Sequence, residues 1–539
     1  MSKIYLYDTT LRDGSQGEGI SLSVEDKLKI VSRLDFLGID YIEGGWPGSN
    51  PKDMEFFHQA ARLPLSSSRI TAFGSTRRPG ITVEADSNLR ALVAAGVGTV
   101  TIVGKSWDFH VYAALGTSLA ENLAMIHESV AYLRGRGLEV IYDAEHFFDG
   151  FKRNPEYALE TLRVAVRAGA GWVVLCDTNG GCLPQEISAI VSQVHEVMVV
   201  PLGIHTHNDG ALAVANSLAA VAAGVTQVQG TINGWGERCG NADLVAIIPN
   251  LELKMGYGCL PEGKMAHLTE VSRYVAEVAN VGQPACQPFV GVSAFAHKGG
   301  IHVNAVMKHT DTYEHISPEV VGNQRRILVS ELSGMSSLVL KLKEAGLPEL
   351  EPARARLMVE KIKELEYQGY QFEGAEGSLE LLLRRIVGQY RQLFKLESLK
   401  VIVEKKSEEN VVAEAVIKLR VGERVVHTAA EGDGPVNAMD NALRKALVGF
   451  YPQLADMHLA DYKVRVLDGN NGTAARVRVL IESRDRSGSW STIGVSENII
   501  EASWQALVDS MELYLLKTEI GSQEPAAGRQ VSEVRENLV

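Results

Sequence analysis

The sharpest chemical signal in the chain is a pair of histidines one residue apart, in His205-Thr206-His207-Asn208-Asp209. They end an apolar, β-branched run over residues 200–205 that has strand character. In a strand, residues two apart point to the same side, so both imidazoles face one place. A carboxylate completes such a set, and Asp13 is the candidate, in Asp8-Thr9-Thr10-Leu11-Arg12-Asp13-Gly14-Ser15-Gln16 directly after a first strand. Nitrogen and oxygen ligands without thiolate suit Mg2+, Mn2+ or Zn2+. An isolated His-x-His is more often two solvent-facing histidines at a strand end. The company of Asp13 and the strand count below favour a metal. In Gly236-Glu237-Arg238-Cys239-Gly240-Asn241-Ala242, Asn241 can offer its amide oxygen to the same ion or cap a helix, and taken alone the cap is the better reading.

Charge of the right kind surrounds this set. Arg12 can hold a carboxylate or a developing oxyanion, and Glu43, at the end of a second strand, can pair with it and keep the guanidinium still. Glu145, in Tyr142-Asp143-Ala144-Glu145-His146, is a general-base candidate, with Asp143 and His146 in competition and a surface carboxylate as the plainer alternative. Thr178, in Asp177-Thr178-Asn179-Gly180, can hydrogen-bond a substrate carboxylate or serve as an ordinary turn hydroxyl.

These residues must be carried by elements that converge. Short apolar strands are predicted at 3–8, 40–43, 69–73, 99–103, 139–143, 172–176, 200–205 and 227–229, each followed by a stretch with helical spacing such as 24–37, 184–197 and 208–223. Eight strand–helix units match a (β/α)8 TIM barrel, whose chemistry sits at the C-terminal ends of the strands. A doubly wound sheet is the runner-up, but residues 8–19 lack the Gly-x-Gly-x-x-Gly turn it requires after strand one. The barrel is placed at 1–260. Residues 261–394 read as a helical linker region, with helical spacing at 265–281, a polar histidine-bearing stretch at 297–315, and Pro348 and Pro352 as breaks. Residues 395–520 read as an α+β domain of two βββα units. Its strands are expected at 399–403, 411–419, 424–430, 462–467, 474–481 and 489–493, and its helices at 436–450 and 499–516. Turn signals at 468–472 and 486–488 support this, and 521–539 read as a disordered tail.

Composition narrows the class. The chain has 539 residues, enough for two or three domains, and a formal net charge of −13, which disfavours nucleic acid or an anionic membrane as partner. Neither a signal peptide nor a bilayer-spanning apolar run is readable. The five cysteines are odd in number, scattered and without a C-x-x-C pair, so free thiols in a reducing cytoplasm are expected.

Residues 8–16, 205–209 and 236–242 together resemble the DRE-TIM metallolyase family, which includes the 2-isopropylmalate, homocitrate and citramalate synthases and 3-hydroxy-3-methylglutaryl-CoA lyase. The tandem βββα end resembles the regulatory domain of the isopropylmalate and citramalate synthases. The stretch Glu43-Gly44-Gly45-Trp46-Pro47-Gly48-Ser49-Asn50-Pro51 is most similar to the citramalate branch. The resemblance implies metal ligands Asp13, His205, His207 and Asn241. It implies that Arg12 polarises a 2-oxo acid carbonyl, that Thr178 holds its carboxylate, that Gln16 and Glu43 belong to the substrate-binding set, and that Glu145 belongs to the base machinery. His302, in Gly299-Gly300-Ile301-His302, matches a linker histidine of the synthases, and Tyr313 a linker tyrosine. The chain departs from relatives here, with Lys298 where serine is commoner and Asn304 where an acidic residue is commoner.

The implied activity is a metal-dependent Claisen condensation of acetyl-CoA with pyruvate, followed by thioester hydrolysis, in isoleucine biosynthesis. Isoleucine is then the expected inhibitor, bound to the regulatory domain of a homodimer. The alternatives are a 2-isopropylmalate synthase acting on 2-oxoisovalerate, a CoA-dependent lyase, and a catalytically silent metabolite sensor.

Overall fold

The computed structural model describes residues 2–330, 335–405, 411–467, 475–486 and 488–523. They form two compact units: one of the described residues up to Phe295 with His315–Arg325, the other of Ala296–Glu314 and the described residues from Arg326 onward.

The first unit is a closed parallel barrel of eight strands: β1 (Tyr5–Asp8), β2 (Tyr41–Gly45), β3 (Arg69–Ser75), β4 (Thr99–Lys105), β5 (Glu139–Glu145), β6 (Trp172–Asp177), β7 (Leu202–Thr206) and β8 (Gln227–Gly230), with β8 pairing back onto β1. Strand alternation divides its side chains cleanly. Leu6, Ile42, Ala72, Val100, Ile102, Val140, Val173, Leu175, Ile204 and Val228 belong to the large cluster shared with the surrounding helices. Tyr7, Tyr41, Ile141, Trp172, Val174 and Cys176 form a separate cluster inside the barrel.

Helices Val24–Leu37 and Pro184–Val197 occupy the residues their spacing predicts. The first opens on a capping box between Ser23 and Asp26. The helix expected at 208–223 is shorter, Ala213–Ala222. The residues before it are drawn into the barrel mouth: Asn208 N–H donates to Gly240 O (2.9 Å), and Asn208 Oδ1 accepts from Ala213 N–H (3.2 Å). The helix expected at 265–281 forms over Leu268–Val278, after a 3-10 turn at Lys264–His267.

In the second unit, β9 (Ala296–His297) pairs with β10 (Arg326–Ile327), and helix Gly300–Lys308 follows β9. Helices Met335–Glu344, Pro352–Tyr367 and Glu376–Val387 lead to two antiparallel three-stranded sheets. The first is β11 (Lys395–Lys405), β12 (Val411–Val421) and β13 (Arg424–Gly432), covered by helix Pro435–Leu447. The second is β14 (His458–Val466), β15 (Val477–Arg484) and β16 (Ser489–Ser496), covered by helix Ile499–Gln523. This is the expected βββα repeat, and both helices share one apolar cluster with β12 and β15. Residues 521–523, expected in the tail, are helical. The turn at 468–472, Ser487 and residues 524–539 lie outside the described residues. Among the described residues no helix is long and apolar enough to cross a membrane, and all five cysteines are free.

Candidate active site

The turn after β1 is set by buried polar bonds. Thr10 Oγ1 donates to Asp8 Oδ2 (2.7 Å) and accepts from Ile232 N–H (2.9 Å), which ties the turn to the segment after β8. Arg12 and Asp13 therefore project from a fixed backbone. Asp13 meets His205 and His207 from the end of β7. His205 Nε2 lies 3.3 Å from Asp13 Oδ2 and 3.3 Å from His207 Nε2, and one ligand atom from each of the three lies within 4.8 Å of the others. All three residues are buried.

Burial opposes charge on Asp13, but Arg12 and His205 outweigh it and hold the carboxyl well below its usual range. Burial also opposes charge on His205, and its bond to Asp13 raises it overall. His207, disfavoured by burial and then by His205, is pushed down to about 3.

Loop 236–242 is zipped to the end of β7. Ala242 N–H donates to Thr206 O (3.0 Å), and His207 and Asn241 form an antiparallel bridge. Arg238 clamps Asp209 with two bonds of 2.8 and 2.9 Å. Gly236 has φ +157°, and a Cβ there would lie 2.5 Å from Asn241 Nδ2, so the loop needs glycine at this point. Asn241 is not the helix cap. Asp243 caps helix Leu244–Pro249 by accepting from Val245 N–H. Asn241 Nδ2 donates to Trp235 O (3.2 Å), while its Oδ1 is buried with no hydrogen-bond partner among the described residues. An orphaned buried amide oxygen is costly. Beside His207, its bridge partner, this free amide oxygen suits coordination of a divalent cation together with Asp13 and the two imidazoles.

Arg12 is held from three sides. Its Nε pairs with Glu43, its Nη1 lies 3.4 Å from Asp13 Oδ2, and its Cζ sits 3.8 Å above the Phe73 ring. Burial works against its charge, but Glu43 and Asp13 raise its pKa further. Glu43 is fully enclosed and also accepts from Tyr7 Oη (2.6 Å). It stands behind Arg12 rather than on the cavity wall, so its expected place in the substrate-binding set gives way to bracing Arg12.

A cavity of about 410 Å3 opens above this cluster, and its wall includes Arg12, Asp13, Gln16, Glu145, Thr178, His205 and His207. Glu145 is ion-paired with Lys105, its register partner across β4 and β5. Thr178 Oγ1 accepts from His146 N–H (2.9 Å), which leaves its own proton free to donate. Of the two groups competing with Glu145, His146 is tied to Asp149 (3.1 Å). Asp143 lies deeper, 3% exposed, with burial and then Glu43 pushing its carboxyl up to about 7. His302 and Tyr313 belong to the second unit, where their rings stack with centroids 4.1 Å apart.

Two supporting residues escaped sequence reasoning. Lys105 is set by the β4–β5 register, which spacing alone does not reveal. Gln229 accepts from His205 Nδ1 (3.0 Å) and donates to Asp143 Oδ1 (3.1 Å). A signal for it existed: Gln227 and Gln229 alternate in an otherwise apolar strand, so both face the same side.

The family model described as HMGL-like matches residues 3–275, the homocitrate synthase post-HMGL domain-like model 289–369, and the LeuA allosteric (dimerisation) domain 373–515. The chain is 54% identical to the (R)-citramalate synthase of Geobacter sulfurreducens, over 96% of this chain and 99% of that one. It is also 54% identical to that of Aquifex aeolicus, over 96% and 98%. A 2-isopropylmalate synthase of Methanocaldococcus jannaschii is 31% identical over 96% of each chain.

Proposed function

We propose that this chain, which belongs to the HMGL-like family and within it to the (R)-citramalate synthases, condenses acetyl-CoA with pyruvate and hydrolyses the thioester, releasing (R)-citramalate and CoA. The observation that carries the site is the convergence of Asp13, His205 and His207 beside the unpartnered Asn241 Oδ1, on the cavity that Arg12 borders.

Asp13, His205, His207 and Asn241 would hold a divalent ion, which supplies Lewis-acid polarisation to the oxygens of the 2-oxo acid when bound. Arg12, fixed by Glu43 and by Phe73, directs its guanidinium at the oxygen on which alkoxide charge develops. Thr178 donates its free proton to the substrate carboxylate. Gln16 lies on the cavity wall, in reach of a bound substrate. Glu145, oriented by Lys105, takes a methyl proton from acetyl-CoA, and the resulting enolate carbon bonds to C2 of pyruvate. Water then cleaves the thioester. His302 and Tyr313 are assigned to catalysis on their match to a linker histidine and a linker tyrosine of the synthases.

The match of 373–515 to the LeuA allosteric (dimerisation) domain supports a homodimer under allosteric control, with isoleucine as the proposed inhibitor. On this reading the enzyme works in isoleucine biosynthesis in the cytoplasm.

Release of CoA thiol from acetyl-CoA with a panel of 2-oxo acids tests the assignment. Pyruvate is expected to be preferred. Pyruvate and 2-oxoisovalerate differ by two methyl-sized groups, each worth roughly 0.8 kcal/mol in a fitted pocket. A preference for 2-oxoisovalerate would overturn the citramalate assignment. Addition of isoleucine should slow turnover, and unchanged rates would remove the regulatory part.

A further inference from the structure

Behind the metal-binding residues lies a chain of three buried groups contributed by three strands. Asp143 comes from β5, His205 from β7 and Gln229 from β8; they are 3%, 5% and 0% exposed. Gln229 is the register partner of His205. Its Nε2 donates to Asp143 Oδ1 at 3.1 Å, and its Oε1 faces His205 Nδ1 at 3.0 Å.

A carboxamide has one donating and one accepting end. With its Nε2 turned to the Asp143 carboxyl oxygen, only an acceptor remains to face His205. The Nδ1 of His205 must then carry the proton. In the neutral ring, Nε2 is left with a bare lone pair, and this is the nitrogen that lies 3.3 Å from Asp13 Oδ2 and 3.3 Å from His207 Nε2. The reversed amide would send an N–H at Nδ1, move the proton to Nε2 and point it into the ligand cluster. His207 has no such support: its Nδ1 is buried without a hydrogen-bond partner among the described residues.

We propose that Asp143 and Gln229 are positioning residues that fix the ligating tautomer of His205, Asp143 acting through the amide orientation of Gln229. The inference rests on the metal reading given above. Metal-bound histidines commonly donate their other N–H to a fixed acceptor, and loss of that acceptor typically costs about 10- to 100-fold in metal affinity.

The test titrates the full-length enzyme with Mn2+ alone, reading free ion by electron paramagnetic resonance, alongside the melting temperature of each metal-free protein. Gln229→Met keeps the volume and removes both bonds. It should bind Mn2+ about 10- to 100-fold more weakly with little change in metal-free melting. The reciprocal pair Asp143→Asn with Gln229→Glu exchanges donor and acceptor along the same chain and still offers a carboxylate oxygen to His205 Nδ1. It should recover most of the affinity lost in Gln229→Met. A purely structural role predicts lower melting temperatures and no such recovery. The proposal is overturned if Gln229→Met binds Mn2+ as tightly as the parent while His205→Ala does not, or if the reciprocal pair binds no more tightly than Gln229→Met. If Gln229→Met fails to fold, the reciprocal pair is read against the parent: an affinity near the parent's supports the relay, and a loss of about tenfold or more overturns it. A parent that binds Mn2+ no better than His205→Ala would instead sink the metal reading, and the relay with it.

Discussion

Replacing Arg12 by lysine separates charge from geometry at the barrel mouth. The guanidinium uses one edge for Glu43, lies 3.4 Å from Asp13 Oδ2 through Nη1, and rests its face on Phe73 at 3.8 Å. Lysine keeps the positive charge and can still reach Glu43, but it cannot fill the fork or stack. If Arg12 donates to the developing alkoxide, Arg12→Lys removes one preorganised donor, worth about 2.7–4 kcal/mol, or roughly 100- to 1000-fold in kcat. Because Glu43 stays paired, stability should change far less. Arg12→Ala should lose as much activity and, in addition, leave the fully buried Glu43 without its ion-pair partner, a loss of about 3–5 kcal/mol in stability. Steady-state thiol release with pyruvate and acetyl-CoA gives kcat and KM, and denaturant unfolding gives the stability difference. A kcat for Arg12→Lys within about threefold of the parent, under 1 kcal/mol, would refute the assigned role. A loss confined to KM would mean that Arg12 only binds the ground state.

Acidification of the metal-free enzyme should expose His207. An unfolded histidine titrates near about 6.5, whereas in the fold burial and then His205 hold His207 down to about 3. Between those values the unfolded state binds a proton that the folded state refuses, so stability falls as pH drops, by at most roughly 1.4 kcal/mol per pH unit. Denaturant midpoints measured in EDTA from pH 6.5 to 4.5 should fall more steeply for the parent than for His207→Leu, and parallel curves would contradict the reading. Lys27 is buried, ion-paired with Asp53 at 2.6 Å, and donates to Gly44 O at 2.9 Å beneath the end of β2. Lys27→Met should destabilise the barrel by about 3–5 kcal/mol, because Asp53 loses its partner; calorimetric unfolding checks this. Gly236→Ala places a methyl 2.5 Å from Asn241 Nδ2 in a left-handed backbone, so Mn2+ affinity should drop by roughly tenfold or more, and an unchanged affinity would remove Asn241 from the ligand set.

Much of the site was legible because barrels place their chemistry at strand ends. Asp13, Glu145, Thr178, His205 and His207 all follow or end an apolar strand in the sequence, and all five meet on one cavity. What spacing does not carry is register. The pairing of Lys105 with Glu145 exists because these residues are opposite each other on β4 and β5, and nothing in either segment alone specifies that. The cap at Asp243 rather than Asn241 follows from the bridge between Asn241 and His207, a contact between two loops 34 residues apart in sequence. The same bridging explains why the helix expected at 208–223 starts only at Ala213: Asn208 is committed to Gly240. The domain of two βββα units was readable from alternation, since each strand keeps one face on a shared core and one face outward.

The interior of the barrel joins these observations. TIM-barrel cores are usually filled by branched apolar side chains, but here the layer beneath the mouth holds Tyr7, Glu43, Thr71, Thr101, Asp143 and Gln229, none more than 3% exposed. Buried polar groups are costly unless bonded, and these are bonded to one another: Tyr7 Oη meets Glu43, Thr101 and Thr71 at 2.6, 2.7 and 3.0 Å, and Gln229 spans Asp143 and His205. Stability must therefore come chiefly from the outer cluster between strands and helices, where the outward residues are apolar. The polar layer acts instead as a foundation with two outputs. One, through Glu43, fixes the guanidinium of Arg12. The other, through Gln229, fixes the ring of His205. Substitutions in the layer are for this reason expected to separate function from folding, while substitutions in the outer cluster should lower both together.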